Sequence, residues 1–273
     1  MSRLFVFGLG YAASAVADAA GGPVLGTTRD GRGGTIAFDD GDAVRAGLAA
    51  ATHVLSSVPP EGGDDPVLAR YGDLLGGKWL GYLSSTGVYG DVGGAWVDES
   101  APVRGRRAAR NAADAAWLAA GARVFRLPGI YGPGRSPLDR LRAGTAHRTG
   151  IAGQVFSRIH VADLARGVVA GFDAPPGAYN LSDDLPASQD AVVEYAAALL
   201  GMAPPPLVPL ADLSAAARAF YGENRRVANG KAKRVLGWRP LYPDYRLGLR
   251  AVSATTSPTA ASAAPPAASG DQR

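Results

Sequence analysis

Six short apolar runs alternate with segments of helix length over the first half of the chain. This alternation restricts the possible folds more than any other feature. The runs are Leu4–Phe7, Pro23–Thr27, Thr35–Phe38, His53–Ser57, Trp79–Ser84 and Arg123–Leu127. Between most of them lie Ala- and Leu-rich stretches at Tyr11–Ala20, Asp42–Ala50, Pro66–Leu75 and Arg107–Ala120. Strand–helix alternation predicts a parallel sheet covered on both faces. Parallel strands buried on both sides read as unbroken apolar runs, as these do. After Pro128 the rhythm changes. A Gly/Pro-rich loop at Gly129–Pro137 leads to helix-like segments at Leu138–Ala143, Val161–Phe172, Asp190–Leu200, Ala211–Phe220 and Lys231–Leu236. The expectation is an α/β fold: a doubly wound parallel sheet over residues 1–185, and a smaller C-terminal substrate lobe over 186–252 to which 136–157 contribute. From Ser253 to residue 273 no large apolar residue occurs. Such a segment cannot bury enough surface to offset chain entropy, which predicts a disordered tail.

The first strand runs straight into Gly8-Leu9-Gly10-Tyr11-Ala12-Ala13. This Gly-x-Gly-x-x-Ala turn at a strand–helix junction is a variant of the dinucleotide fingerprint of Rossmann-type domains. Gly8 permits the tight turn, and Gly10 lets backbone approach a pyrophosphate. Ala13 is small enough for helix to pack on strand. The helix starting near Tyr11 and Ala12 would aim its N–H groups at the phosphates. The second strand ends in Thr27-Thr28-Arg29-Asp30. Arg29 stands where an NAD-selecting carboxylate usually sits, and its fork can pair with the 2′-phosphate of NADP. The cofactor expected is therefore NADP, bound with help from Thr28 and Arg29, although Asp30 could hydrogen-bond an unphosphorylated ribose. Ser57 and Pro59, just after the fourth strand, should line the same crevice.

Three further segments carry a family resemblance. They are Ser84-Ser85-Thr86-Gly87-Val88-Tyr89-Gly90, Arg126-Leu127-Pro128-Gly129-Ile130-Tyr131-Gly132-Pro133-Gly134-Arg135, and Arg158-Ile159-His160-Val161-Ala162-Asp163-Leu164-Ala165. With the glycine turn they make residues 1–250 resemble the extended short-chain dehydrogenase/reductases, the NAD(P)-dependent sugar-nucleotide epimerases and dehydratases. The resemblance implies that Ser85 is the serine that hydrogen-bonds the substrate oxygen. It implies that Pro128 to Ile130 pack on the nicotinamide, and that His160 and Asp163 have a mainly structural part at a helix start. Ser84 and Thr86 flank the implied serine, Ser84 on the cofactor side and Thr86 as a second hydroxyl for proton transfer. Trp96, Tyr131, Arg135 and Arg158 are candidates for lining a substrate pocket.

The chain departs from the family in one respect that bears on chemistry. None of its ten tyrosines has a lysine four residues later, so the family's Tyr-x-x-x-Lys is missing. Aligning the helix by its downstream Asn111–Leu118 segment places Arg106 at the tyrosine position and Arg110 at the lysine position. Arg110 can still bind ribose hydroxyls. Arg106 stays protonated and cannot act as a base near neutral pH, but it can hold an anionic group. Two functions follow as expectations. One is an NADP-dependent oxidoreductase or epimerase-like enzyme acting on a carbonyl or alcohol, a nucleotide sugar included. The other is a non-catalytic NADP(H)-binding sensor.

Composition excludes several classes. The chain has no cysteine, so disulfides, thiolate metal sites and a cysteine nucleophile are ruled out. Its three histidines, His53, His147 and His160, lack metal-ligand spacing. The net charge of +4 is carried by dispersed arginines, with no basic stripe of the kind that binds nucleic acid. No run approaches a membrane span, and the N-terminus lacks signal-peptide features. A cytoplasmic protein is expected, with a small-molecule substrate, no nucleic-acid or membrane partner, and a homodimer left open.

Overall fold

A computed structural model describes residues 3–256 of the chain. In chain order its strands are β1 (Leu4–Phe7), β2 (Val24–Thr28), β3 (Ile36–Ala37), β4 (His53–Ser56), β5 (Trp79–Ser85), β6 (Trp96–Val97), β7 (Arg123–Leu127), β8 (Gly129–Tyr131), β9 (Arg158–His160), β10 (Gly177–Asn180) and β11 (Arg226–Val227). The helices are α1 (Tyr11–Ala20), α2 (Gly41–Ala50), α3 (Pro66–Tyr71), α4 (Ala108–Ala119), α5 (Pro137–Arg142), α6 (Val161–Ala170), α7 (Gln189–Leu199), α8 (Ala215–Tyr221), α9 (Gly230–Val235) and α10 (Tyr245–Thr256). Seven strands form one sheet in the order β10-β7-β5-β4-β1-β2-β3, and every pairing in it is parallel. Two short parallel ribbons, β8 with β9 and β6 with β11, lie outside it.

The two faces of the sheet follow from the two-residue period of a strand. On β1, Leu4 and Val6 face one core with Ala13 and Val16 of α1 and Leu164 and Val168 of α6. Phe5 and Phe7 face the other core, against Val44 and Leu48 of α2, Tyr71 of α3 and Trp117 of α4. Helix starts are fixed by short polar side chains: Asp40 accepts from the Ala43 N–H, and Asp65 from those of Val67 and Leu68. The Rossmann-type doubly wound sheet read from the alternation is the fold observed. From β1 the chain first builds outward to β2 and β3, then returns to place β4 on the other side of β1. This topological switch opens a crevice beyond the carboxyl ends of the strands, the usual ligand position in such sheets.

Several elements differ from expectation. The seventh strand, β10, was not anticipated, because Gly-Ala-Tyr-Asn lacks an apolar run. Its place at the sheet edge beside β7 explains why it does not need one. Neither ribbon was legible, each strand being two or three residues long. The lobe has its own core of Leu138, Leu141, Val192, Ala196, Tyr245 and Leu249, joining α5, α7 and α10. Segment 230–238 leaves that lobe and returns Ala232 and Trp238 to the main core. The boundary expected at Ser253 falls inside α10, whose face Tyr245–Leu249–Val252 is buried and which continues to Thr256. Its last turn is polar and helical only as a continuation of that anchored face, with Thr255 and Thr256 hydroxyls bonding the carbonyls four residues back. The rest of the expected tail lies outside the described residues.

Candidate functional site

The carboxyl edge of the sheet gathers most of the expected site residues around two cavities. The first, about 500 Å³, is lined by Gly8, Gly10, Thr28, Arg29, Ser57 and Pro59. Gly8 has φ +78°, a left-handed turn that a side chain would strain, and an added Cβ would press on Val58. The turn is locked from below: Gly8 N–H donates to the Thr27 hydroxyl, and the Ser57 hydroxyl donates to the Gly8 carbonyl. At Gly10 a Cβ would meet nothing within 4 Å, so the approach to this backbone is open. Gly10 also begins α1 without a side-chain cap, which leaves the first N–H groups of the helix for a ligand. Ala13 is fully buried against the sheet. These features fit a dinucleotide pyrophosphate. Arg29 is almost wholly exposed, with Glu61 only 3.9 Å away. Arg32, which the sequence reading passed over, lines the same cavity. Asp30 does not line it, being engaged by the Thr28 hydroxyl and lying 3.6 Å from Arg32.

The second cavity, about 780 Å³, has Ser85, Thr86, Pro128, Gly129 and Ile130 at one end. Tyr131, Arg135 and Arg158 line it as expected, whereas Trp96 stands exposed elsewhere. Ser85 accepts from the Gly87 N–H at 3.1 Å, so its own proton remains free to donate. Tyr11 lines neither cavity: its hydroxyl donates to the Pro133 carbonyl, and Arg135 lies over its ring. Ala12 packs against the main core behind it.

Three expected positions are corrected. Ser84 is buried on the opposite face from Ser85 and donates to Asp114 at 2.6 Å, so it does not reach the crevice. There it belongs to a closed network. Arg126 forks onto both oxygens of Asp114 at 2.7 and 3.1 Å and donates to the Tyr89 hydroxyl, which donates to Asn180. Arg106 pairs with Glu223 at 2.8 Å, and Arg225 holds the other oxygen of that carboxylate. Arg110 donates to the Tyr82 hydroxyl, whose pKa is pushed up to about 12 mainly by burial. Neither Arg106, which precedes the helix, nor Arg110 lines either cavity; each is held by its own partner, Glu223 or the Tyr82 hydroxyl. The residues missed by sequence reading, among them Arg140, Phe156, Tyr221 and Arg225, come from the lobe and obey no local motif.

Next to this cavity lies a group of buried polar atoms without hydrogen-bond partners among the described residues: the Tyr131 hydroxyl, His160 Nε2 and both Asp183 carboxyl oxygens. His160 caps α6 through Nδ1, which accepts from the Ala162 N–H, and its ring meets those of Tyr131 and Tyr242. The structural part expected of it is thus a helix cap. Asp163 lies in the first turn of that helix, and its carboxylate accepts from the N–H groups of Leu241 and Tyr242 and anchors their loop. Burial pushes the His160 pKa down to about 4. Unfolded, imidazole takes up its proton near pH ~6.5, so between the two values the unfolded state binds more protons. Stability attributable to this ring is lost as pH falls from about 6.5 to about 4, by about 3 kcal/mol in all. His160→Asn keeps a capping acceptor and should flatten this part of the curve in urea denaturation at pH 7 and pH 4.5. Equal losses in both proteins would show that the ring is not buried as described.

No protein-family model matches the chain. A 3-diazoavenalumate denitrifying reductase from a Streptomyces species is 31% identical over 140 residues, which are 46% of this chain and 45% of the reductase; the match thus spans less than half of that relative. A functionally unknown conserved protein from Silicibacter pomeroyi is 42% identical, with TM-score 0.82 over 93% of this chain and 99% of that one. The human epimerase family protein SDR39U1, solved with NADPH, has TM-score 0.73 at 21% identity over 92% of this chain and 99% of that one. The chain belongs to the same family as the Silicibacter pomeroyi protein, within the extended short-chain dehydrogenase/reductase fold of the NAD(P)-dependent epimerases and dehydratases.

Proposed function

We propose that the protein is an NADP-dependent oxidoreductase that acts on a carbonyl or alcohol. The observation that carries this is the alignment of the two cavities along one sheet edge: an uncapped helix start over the glycine turn at one end, and Ser85 facing the Pro128–Ile130 wall at the other. When bound, NADPH supplies the hydride. The chain's own residues do the rest. Gly8, Gly10 and the start of α1 hold the pyrophosphate, and Pro128, Gly129 and Ile130 form one wall against the nicotinamide. The Ser85 hydroxyl donates to the substrate oxygen and stabilises negative charge developing there. Thr86 or solvent supplies the proton, since arginine cannot release one near neutral pH. A relative that is a reductase supports this direction of hydride transfer.

Arg29 and Arg32 line the first cavity and favour a 2′-phosphate. NADPH is expected to bind at least about tenfold tighter than NADH, the range for a charge-assisted hydrogen bond. Arg29→Asp should remove that preference. Calorimetry with both cofactors decides it: equal affinities in the wild type would take the role away from Arg29. Oxidation of NADPH in the presence of aldehydes, ketones and nucleotide sugars tests the activity itself. Tight NADPH binding with no turnover on any of them would instead favour a non-catalytic NADP(H) sensor, the reading suited to the missing Tyr-x-x-x-Lys.

A further inference from the structure

The second cavity carries more positive charge than its own residues neutralise. Arg158 is 8% exposed, yet no carboxylate lies within ion-pair distance of it among the described residues. Its guanidinium has five N–H donors. Three are satisfied, by the carbonyls of Phe156 and Ala187 and the side-chain oxygen of Gln189. Among the described residues two remain without a partner, the number that a bidentate oxyanion takes. The neighbouring Asp183 acts on Arg158 through its charge but does not fill this place: among the described residues neither of its oxygens has a hydrogen-bond partner, and burial raises its pKa. Arg140, on α5, faces the same space, and its charge repels that of Arg158. Tyr221 lies close enough to feel both charges. The carboxylate in the cavity lining, Asp139, is engaged by the Ser136 N–H and hydroxyl and lies 3.8 Å from Arg142, so two guanidinium groups on one wall stay costly unless an anion joins them. Beside them Phe156 and Phe220 stack with centroids 4.8 Å apart, and Phe220 is half exposed at the cavity mouth.

We propose that the substrate of this cavity is a planar organic oxyanion. Its charged head is held by Arg158 and Arg140, and its flat body lies against Phe156 and Phe220. This places a small aromatic carboxylate or phosphate ester in the site and gives Arg158 the part of a specificity-determining residue. It rests on the cavity being the substrate site of the proposed oxidoreductase. The head can be carboxylate or phosphate, since both suit an arginine fork.

The test is calorimetric titration of the full chain with cinnamate, cinnamamide and phenyl phosphate, with and without NADP. At least one of the two anions should bind at least about tenfold tighter than the neutral amide, and whichever binds tighter identifies the head group. Arg140→Ala, on the exposed face of a helix, should weaken that anion by about tenfold and leave the amide unchanged. Arg158→Met should abolish the preference, but Arg140→Ala decides the matter even where the buried variant fails to fold. Cinnamamide binding as tightly as both anions, no detectable anion binding at ~10 mM, or unchanged anion affinity in Arg140→Ala would each overturn the proposal. NADPH is not the reporter here. A failure of NADPH to bind would remove the oxidoreductase reading, and a failure of anion binding alone would remove only this one.

Discussion

Asp114→Ala is expected to destabilise the protein by about 3–5 kcal/mol, the cost of stranding one partner of a buried ion pair. Arg126 is 3% exposed and Asp114 1%, so water cannot replace the lost carboxylate. The pair also bonds two strands and a helix into one unit: Ser84 of β5, Asp114 of α4 and Arg126 of β7, with Tyr89 and Asn180 extending it to β10. Ser84 and Arg126 are register partners, and so are Ser85 and Leu127 one step further on. The network therefore sits directly behind the end of the sheet where Ser85 faces the cavity. A double variant, Asp114→Leu with Arg126→Met, removes both charges and should be less destabilised than Asp114→Ala. Chemical denaturation measures both. A loss below about 1 kcal/mol in Asp114→Ala would show the pair to be solvated.

The second large effect is catalytic. A Ser85→Ala, Thr86→Val double variant should keep its affinity for NADPH while kcat falls by about 10²–10³, the loss typical of removing preorganised donors to a developing oxyanion. Ser85 meets the geometric requirement, because its oxygen already accepts from Gly87 N–H and its proton is free to turn toward the cavity. Thr86 is 4% exposed but borders the same space. The expected split between kcat and cofactor affinity separates chemistry from misfolding. Vigorous turnover in the double variant would remove both hydroxyls from the mechanism and leave solvent as the proton source.

Much of the frame was legible in one dimension. Apolar runs such as Leu4–Phe7 and Arg123–Leu127 are strands because a parallel strand covered by helices has no polar face to show. The helix Tyr11–Ala20 begins where Gly8 and Gly10 allow the chain to turn, and the turn lies at the switch point because it follows the first strand. Those are local rules, set by backbone freedom and side-chain period. Arg106 and Arg110 show where such rules stop. Alignment placed them at catalytic positions, but Glu223 comes from 117 residues away to take one, and Tyr82 takes the other. Ser84 and Ser85 are adjacent and chemically alike, yet the pleat sends one into the Asp114 network and the other to the cavity. The wall formed by Arg140, Phe156, Arg158 and Phe220 is assembled from three separate segments. The sequence by itself determined six of the sheet's seven strands, their parallel doubly wound class and the glycine turn, since these depend on residues close together in the chain. Only the tertiary structure decided which polar side chains meet and which face the cavity, because that depends on partners brought together by packing across the whole fold.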